Sequence, residues 1–402
     1  MQVEIGGQAT GPLRGITVLD LTSVVSGPLC TQTLGDLGAE VIKVETPQGD
    51  TSRRLGFPGK AGFAAYFAQF NRNKRSLALD LKNPAALEVV HRLARRADVL
   101  LENWRPEVAG RLGLGWEELS AQNPKLIYVS ISGFGPEGPY KDQPAYDTVI
   151  QGLTGFMQTQ GDAGAPRLIQ CVAADKATGL TAVYATLAAL YARDRDGGRG
   201  QRIDVPMLDS FAAFMLPDVI VDRTFLPEPP AAPRARPPEV HRTWRTADGF
   251  VVMMIIEDRQ FQAICRTLDR MDLIDDPRCT SLPQRFAHMG ELFALLESEL
   301  LRWKTADLLE RARRFGAPVA PANGLDEFLA DAQVAANGTV LEIEDERRGR
   351  LRLLQNPVRF SETPTRLRRP PPQRGEHTDE ILQELGYTDT EIADLRAAGA
   401  AV

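Results

Sequence analysis

Apolar positions in the first third of the chain recur in two alternating rhythms. Ile16–Leu21, Glu40–Val44, Leu77–Leu81, Asp98–Leu101 and Leu126–Ser132 are short runs rich in aliphatic residues, and they read as strands. Pro28–Leu37 and Pro84–Arg95 repeat their apolar residues at helical spacing. The second opens on proline, whose fixed φ suits a first helical turn. Strand–helix alternation of this kind predicts a parallel sheet with helices on both faces. After a Gly/Pro loop at Ser132–Pro139, a long helix is predicted over Ala177–Arg193, then a strand at Gln201–Val205 and a helix near Met207–Val221. Pro227–Pro238 is too rich in proline to continue a helix or a central strand, and it reads as a linker. Beyond it, a strand at Asp248–Ile256 and helices at Gln260–Leu268, Gly290–Trp303 and Ala306–Phe315 predict a second, smaller domain. A helix at Leu325–Val334, a hairpin of Thr339–Ile343 and Leu351–Leu354, an extended segment at Arg366–Pro372 and helices at Thr378–Leu385 and Thr390–Ala397 complete the chain.

Composition narrows the possibilities. At 402 residues, 43% hydrophobic and 25% charged, the chain has the balance of a folded protein of about two domains. A net charge of −6 argues against a whole-surface nucleic-acid binder. No apolar run is long enough to span a bilayer, and the first residues lack a basic-then-apolar export pattern. No membrane or nucleic-acid partner is therefore expected. Cys30, Cys171, Cys265 and Cys279 are far apart, as are His91, His241, His288 and His377. That spacing favours no metal centre or disulfide framework, and it fits a reducing, cytoplasmic location.

Three features carry candidate chemistry. Asp175 stands at the start of the long helix in Ala173-Ala174-Asp175-Lys176-Ala177-Thr178-Gly179. It reads either as a helix cap or as a carboxylate held ionised there as a nucleophile. The loop at Ser132–Pro139 allows close backbone approach to a ligand, or is simply a turn. It is not followed by the helix of a GxGxxG dinucleotide fingerprint, which disfavours a conventional dehydrogenase. Lys43, Lys74, Arg75, Lys82, Arg105 and Arg111 lie near predicted strand ends, where cations suit phosphate capture in an open α/β sheet.

Eight ordered segments together resemble the class III CoA-transferases. That family includes formyl-CoA:oxalate and carnitine CoA-transferases and α-methylacyl-CoA racemase. The segments are Gly15–Glu45, Asn71–Lys82, Ala97–Pro106, Pro124–Pro139, Pro144–Thr148, Ala173–Leu180, Gly197–Asp209 and Gly375–Leu382. The resemblance implies a Rossmann-like open parallel sheet in a large domain, a smaller α+β domain, and an interlocked homodimer. The corresponding bounds are 1–225 for the large domain, 226–240 for the linker, 241–324 for the small domain and 325–402 for a return to the large domain. Asp175 matches the family's catalytic aspartate. The implied reaction moves CoA from an acyl-CoA donor to a carboxylic acid acceptor through an aspartyl anhydride and an aspartyl-CoA thioester, with no metal and no prosthetic group. Val25, Ser26, Asp80, Leu81, Lys82, Asn103, Trp104, Arg105, Arg111 and Tyr146 match segments that hold CoA. Thr46 stands where some relatives have arginine, so one phosphate contact differs.

The racemase branch needs an acid and a base on opposite faces of the α-carbon. Its Gly-His-Asp pattern is replaced here by Ala145-Tyr146-Asp147. A phenol with an ordinary pKa of about 10 substitutes poorly for imidazole, which favours transfer over racemisation. A CoA-binding protein without activity is the reading from another class. The glycine-rich loop of oxalate-specific relatives is missing after Ile256, where the chain reads Glu257-Asp258-Arg259-Gln260. His241, Arg242 and Arg245 read either as surface cations or as contacts to the free carboxylate of a dicarboxylic substrate.

Overall fold

Six strands form one sheet in the computed structural model, which describes residues 5–60, 63–160, 164–226 and 241–402. They are β1 (Thr17–Asp20), β2 (Glu40–Glu45), β3 (Lys74–Ala78), β4 (Val99–Glu102), β5 (Ile127–Ser132) and β6 (Arg202–Pro206). Their spatial order is β3-β2-β1-β4-β5-β6, and every neighbouring pair is parallel. The order in which the chain adds strands therefore reverses between β1 and β4, where Leu19 sits beside Ile42 on one side and Leu100 on the other. The crevice beyond the carboxyl ends of two such strands is where open α/β sheets bind ligands.

Alternate strand residues feed two separate cores, as the two-residue period of a strand requires. Leu19, Leu77, Leu100 and Tyr128 face one side, and Val18, Val41, Val99 and Val129 the other. The first side is covered by α3 (Pro84–Ala94) and by the helices Thr378–Glu384 and Asp389–Ala397. Val89, Val90 and Leu93 supply the apolar stripe of α3, and Ile381 and Leu382 meet it from the end of the chain. The short helices α4 (Val108–Arg111) and α5 (Trp116–Gln122) border this side. The second side is covered by α1 (Ser26–Asp36), α6 (Asp147–Leu153), α8 (Ala173–Arg195) and α9 (Met207–Met215). Two further short helices, α2 (Ala65–Phe70) and α7 (Phe156–Gln160), stand in the connections.

The chain divides into two compact units. The first holds the described residues up to Pro217 together with Ala335–Val402, and the second runs from Asp218 to Val334. The returning segment is tied into the first unit by backbone pairing. Val402 donates to the Ala78 carbonyl at 3.1 Å, and Leu79 bridges Ala401 antiparallel, which covers the open edge of β3. The hairpin β10 (Val340–Asp345) and β11 (Gly349–Leu354) packs Leu341, Ile343 and Leu353 on Phe63 and Phe67.

The second unit is α+β. Strands β7 (Trp244–Arg245), β8 (Phe250–Met253) and β9 (Val319–Pro321) form an antiparallel sheet in that order. Helices Asp258–Leu268, Met289–Leu300 and Thr305–Phe315 pack Phe261, Leu296 and Leu308 around Trp244 and Val251. The helix Leu325–Ala330 follows β9 closely and falls in this unit. Of the expected linker, residues 227–240 lie outside the described residues. Among the described residues no helix is long and apolar enough to cross a membrane.

Candidate active site

The loop between β1 and α1 is held by buried charge. Asp20, at the end of β1, is fully buried and accepts from the Thr22 N–H at 2.9 Å, the Thr31 hydroxyl at 2.6 Å and the Lys74 ammonium at 3.0 Å. Burial pushes its carboxyl up, but Lys74, Lys43 and the two threonine hydroxyls outweigh that and hold it far below the usual carboxylate range. Lys43, on β2, donates to the Thr22 carbonyl at 2.8 Å and pairs with Asp50 at 2.9 Å. Asp50 in turn accepts from the Val24 N–H at 3.2 Å. Val24 has φ 71°, a left-handed conformation that strains a β-branched residue. The surrounding ion pairs keep it there. The next residues begin α1, so the strained turn aims the first N–H groups of that helix.

Asp175 meets this helix start. The hydroxyl and backbone N–H of Ser26, the first residue of α1, lie near enough to its carboxylate to favour the ionised form. Burial and the nearby Asp147 carboxylate push Asp175 up, the Ser26 hydroxyl and N–H oppose them, and the balance lies at about 6. The close approach depends on Gly179, one turn further along α8. A Cβ there would lie 2.7 Å from the Ser26 carbonyl oxygen and 3.2 Å from the Leu29 Cβ.

The cap reading of Asp175 is corrected by its surroundings. The helix α8 begins at Ala173, and its first turn is capped from another element. One oxygen of Asp147 accepts from the Ala174 N–H at 2.8 Å and the Asp175 N–H at 3.1 Å. Gln151, one turn along α6, donates to the other Asp147 oxygen at 2.6 Å and to the Cys171 carbonyl at 3.1 Å, and accepts from the Ile169 N–H at 2.9 Å. With the helix end already satisfied, the Asp175 side chain is free to turn toward α1. Reading the sequence missed both α6 and this partner.

Tyr66 on α2 borders the same pair. Burial first, then Asp175 and Asp147, raise its phenol, so it stays protonated and able to donate. A reaction that needs ionised Asp175 should lose rate as pH falls through about 6, since protonation removes the reactive form. The acid limb of kcat/KM against pH measures this. A limb midpoint near the ordinary aspartate value would contradict the buried setting.

The other expected site residues divide into groups. Val25, just before α1, and Ser26, its first residue, are buried. Asp80, Leu81 and Lys82 follow β3, and Asn103, Trp104 and Arg105 follow β4, all on the carboxyl edge of the sheet. Asn103 ties that edge together, accepting from the Ser23 N–H and donating to its carbonyl, both at 2.9 Å. Leu81 and Trp104 rest partly buried on the first core. Lys82, Arg105 and Arg111 are exposed on that edge. Tyr146, just before α6, has 69% of its surface exposed.

Lys43, Lys74 and Arg75 are not open to a phosphate. The two lysines are fully buried in the network below β1, and Arg75 is paired with Glu40, Glu380 and Glu384. In the Gly/Pro loop, Gly133 serves packing: a Cβ there would lie 2.1 Å from that of Ala145, two residues before Asp147. Arg242 in the second unit is engaged by Glu297 and stacks over Trp244 at 4.7 Å. Among the described residues no group of three or more metal-ligating side chains comes together.

The parallel α/β unit thus sets Asp175 against α1, the helix that follows β1 at the switch point of the sheet. Residues 13–378 match the model of CoA-transferase family III, and the chain belongs to that family. It is similar to the succinate–glutarate CoA-transferase of Agrobacterium fabrum, 39% identical over 387 residues that span 93% of this chain and 96% of that protein. The human succinyl-CoA:glutarate CoA-transferase is 34% identical, over 96% of this chain and 89% of its own. The crystal structure of a CAIB/BAIF family protein from Brucella suis superposes with a TM-score of 0.81 at 36% identity, covering 94% of this chain and all (100%) of that one. The protein is thus an enzyme of the CoA-transferase family, with CoA thioesters as its substrate class.

Proposed function

We propose that the protein moves CoA from an acyl-CoA to a carboxylic acid with Asp175 as nucleophile. A carboxylate oxygen of Asp175 attacks the thioester carbonyl carbon. The C–S bond breaks, and the electrons leave on the CoA thiolate. The thiolate then attacks the Asp175 carbonyl of the resulting anhydride, which releases the donor acid and leaves an aspartyl-CoA thioester. The acceptor carboxylate attacks that thioester, and the freed thiolate collects the new acyl group and restores Asp175. Each intermediate is an activated acyl group, so no single step carries the whole barrier. The Ser26 hydroxyl and N–H favour the free carboxylate and become available to a tetrahedral oxyanion once Asp175 is acylated.

The observation that carries this reading is the Asp175 carboxylate seated against Ser26 with its acidity shifted to about 6. Such a group is mostly ionised at neutral pH, yet more basic and nucleophilic than an exposed aspartate. Phosphates of CoA are assigned to Lys82, Arg105 and Arg111, with the Asn103-braced turn beneath them. The names of the two relatives favour dicarboxylic donors and acceptors. Isotopically labelled acid should leave an acyl-CoA only when a second carboxylic acid is present. Exchange of the α-proton with deuterated water and no acid release would favour the racemase instead. CoA binding with neither activity would leave only a binding protein.

A second copy of the chain is part of this reading. Leu180, Tyr184 and Tyr191 are 51%, 63% and 67% exposed along α8, at a spacing that puts them on one face. An apolar stripe of this kind suits burial in a homodimer, in keeping with the interlocked pair expected from the sequence. Light scattering should give twice the chain mass, and Tyr184→Glu should weaken the pair. A wild-type monomer at micromolar concentration would overturn the dimer.

A further inference from the structure

We propose that Asp147 is the positioning residue of this site: it caps the helix that carries Asp175 and, by like charge, disfavours the free Asp175 carboxylate relative to its acylated form. The proposal rests on the covalent reading above. The geometry is direct. An Asp147 oxygen lies 3.1 Å from the backbone nitrogen of Asp175 itself, so its charge stands at the root of the nucleophile. It cannot easily swing away. Its two oxygens are held by the Ala174 and Asp175 N–H groups and by Gln151. The start of a long helix also favours an anion there, which offsets the repulsion between the two carboxylates.

The groups facing Asp175 are few. Asp147 comes from α6, the Tyr66 phenol from α2, and the uncharged Ser26 from α1. Lys176, the next residue on α8, is exposed. Asp147 is therefore the facing anion. When Asp175 attacks a thioester, one C–O bond forms, one C–S bond breaks, and the negative charge passes to the thiolate with no proton moved. Asp175 is then neutral in both the anhydride and the aspartyl-CoA thioester. Repulsion from Asp147 exists before acylation and is gone after it. Protonation removes the same charge, so the repulsion that adds to burial in raising the pKa of Asp175 also favours its acyl forms.

The test separates charge from capping. Asp147→Asn keeps an oxygen for the two helix N–H groups but removes the charge, whereas Asp147→Ala removes both. In the Asn variant the fraction of enzyme carrying a covalent adduct with acyl-CoA, read by intact mass, should fall by roughly tenfold. The acid limb of kcat/KM should move down by about one pH unit, and thermal stability should fall less than in the Ala variant, because Asn loses the Gln151 bond but keeps the helix cap. If Asn restores adduct level and pH profile to those of the wild type and only Ala fails, the role is capping alone and the proposal is overturned. If the wild-type enzyme itself forms no adduct, the covalent reading falls and takes this inference with it.

Discussion

Asp175→Ala should abolish CoA transfer, by roughly four orders of magnitude or more, because no other group takes over covalent catalysis when the nucleophile is lost. Binding of CoA should persist. The assigned phosphate contacts lie on the carboxyl edge of the sheet, on segments that do not depend on this side chain. A companion variant, Asp175→Asn, reveals the strain stored in the site. The folded-state pKa of about 6 lies above the ordinary aspartate value of 3.8, so the fold penalises the charged form. That penalty is fully present above about 6 and vanishes below about 3.8. Asn should therefore stabilise the protein by about 1–3 kcal/mol at pH 8 and by almost nothing at pH 4, while being as inactive as Ala. Thermal melts at the two pH values, set beside transfer assays, check both halves. An active alanine variant would remove Asp175 from the mechanism.

The largest stability effect should come from Lys43→Met. Methionine fills similar space, but it leaves Asp50 buried without its ion-pair partner and the Thr22 carbonyl without its donor. Breaking a buried pair from one side costs about 3–5 kcal/mol. Burial pushes Asp50 up, and Lys43 with the Ser52 hydrogen bonds brings it down to about 2, so without the lysine it will resist ionising. The damage should reach the active site through Val24, whose N–H is held by Asp50 and whose strained turn aims Ser26 at Asp175. Adding Asp50→Asn should restore part of the lost stability, because the uncompensated charge goes with it. Denaturant unfolding of the single and double variants checks this. A double variant that simply adds the two losses would show that the pair is not coupled.

Much of the scaffold was legible in the chain, and the reason is periodicity. β1, β2, β4 and β5 are aliphatic-rich runs in a sheet covered on both sides, and β6 alternates Ile203 and Val205 with Arg202 and Asp204, so their pattern survives without tertiary knowledge. β3 was read late, at Leu77–Leu81 rather than Lys74–Ala78. Its first residues are a lysine and an arginine that look like solvent-facing charges and are in fact buried in ion pairs made by distant segments. The same blindness turned Lys43 and Lys74 into candidate phosphate ligands. Buried charge is a tertiary property, and no local pattern reports it.

The site was legible in its nucleophile and not in its support. Asp175 stood out because an acidic residue opens a long helix, and the family resemblance gave it a role. Asp147 did not stand out, because α6 is a single short helix after a Gly/Pro loop, with too few turns to establish a period. Its partnership with residues 174 and 175 spans 27 and 28 positions in the chain. The tyrosine beside it drew attention as a ligand contact, while the aspartate one residue later does the capping. A weak signal existed in Asp147 and Gln151, spaced one helical turn apart in the way that lets a carboxylate and an amide meet.

Covalent bond formation at Asp175 can be read directly. Enzyme should be mixed with acyl-CoA in the absence of acceptor, quenched with hydroxylamine, digested and read by peptide mass spectrometry. A hydroxamate is expected on the peptide that begins α8, localised to Asp175 and missing from untreated enzyme. Turnover-competent enzyme that releases acid with Asp175 unmodified, or with the label on another residue, would contradict it.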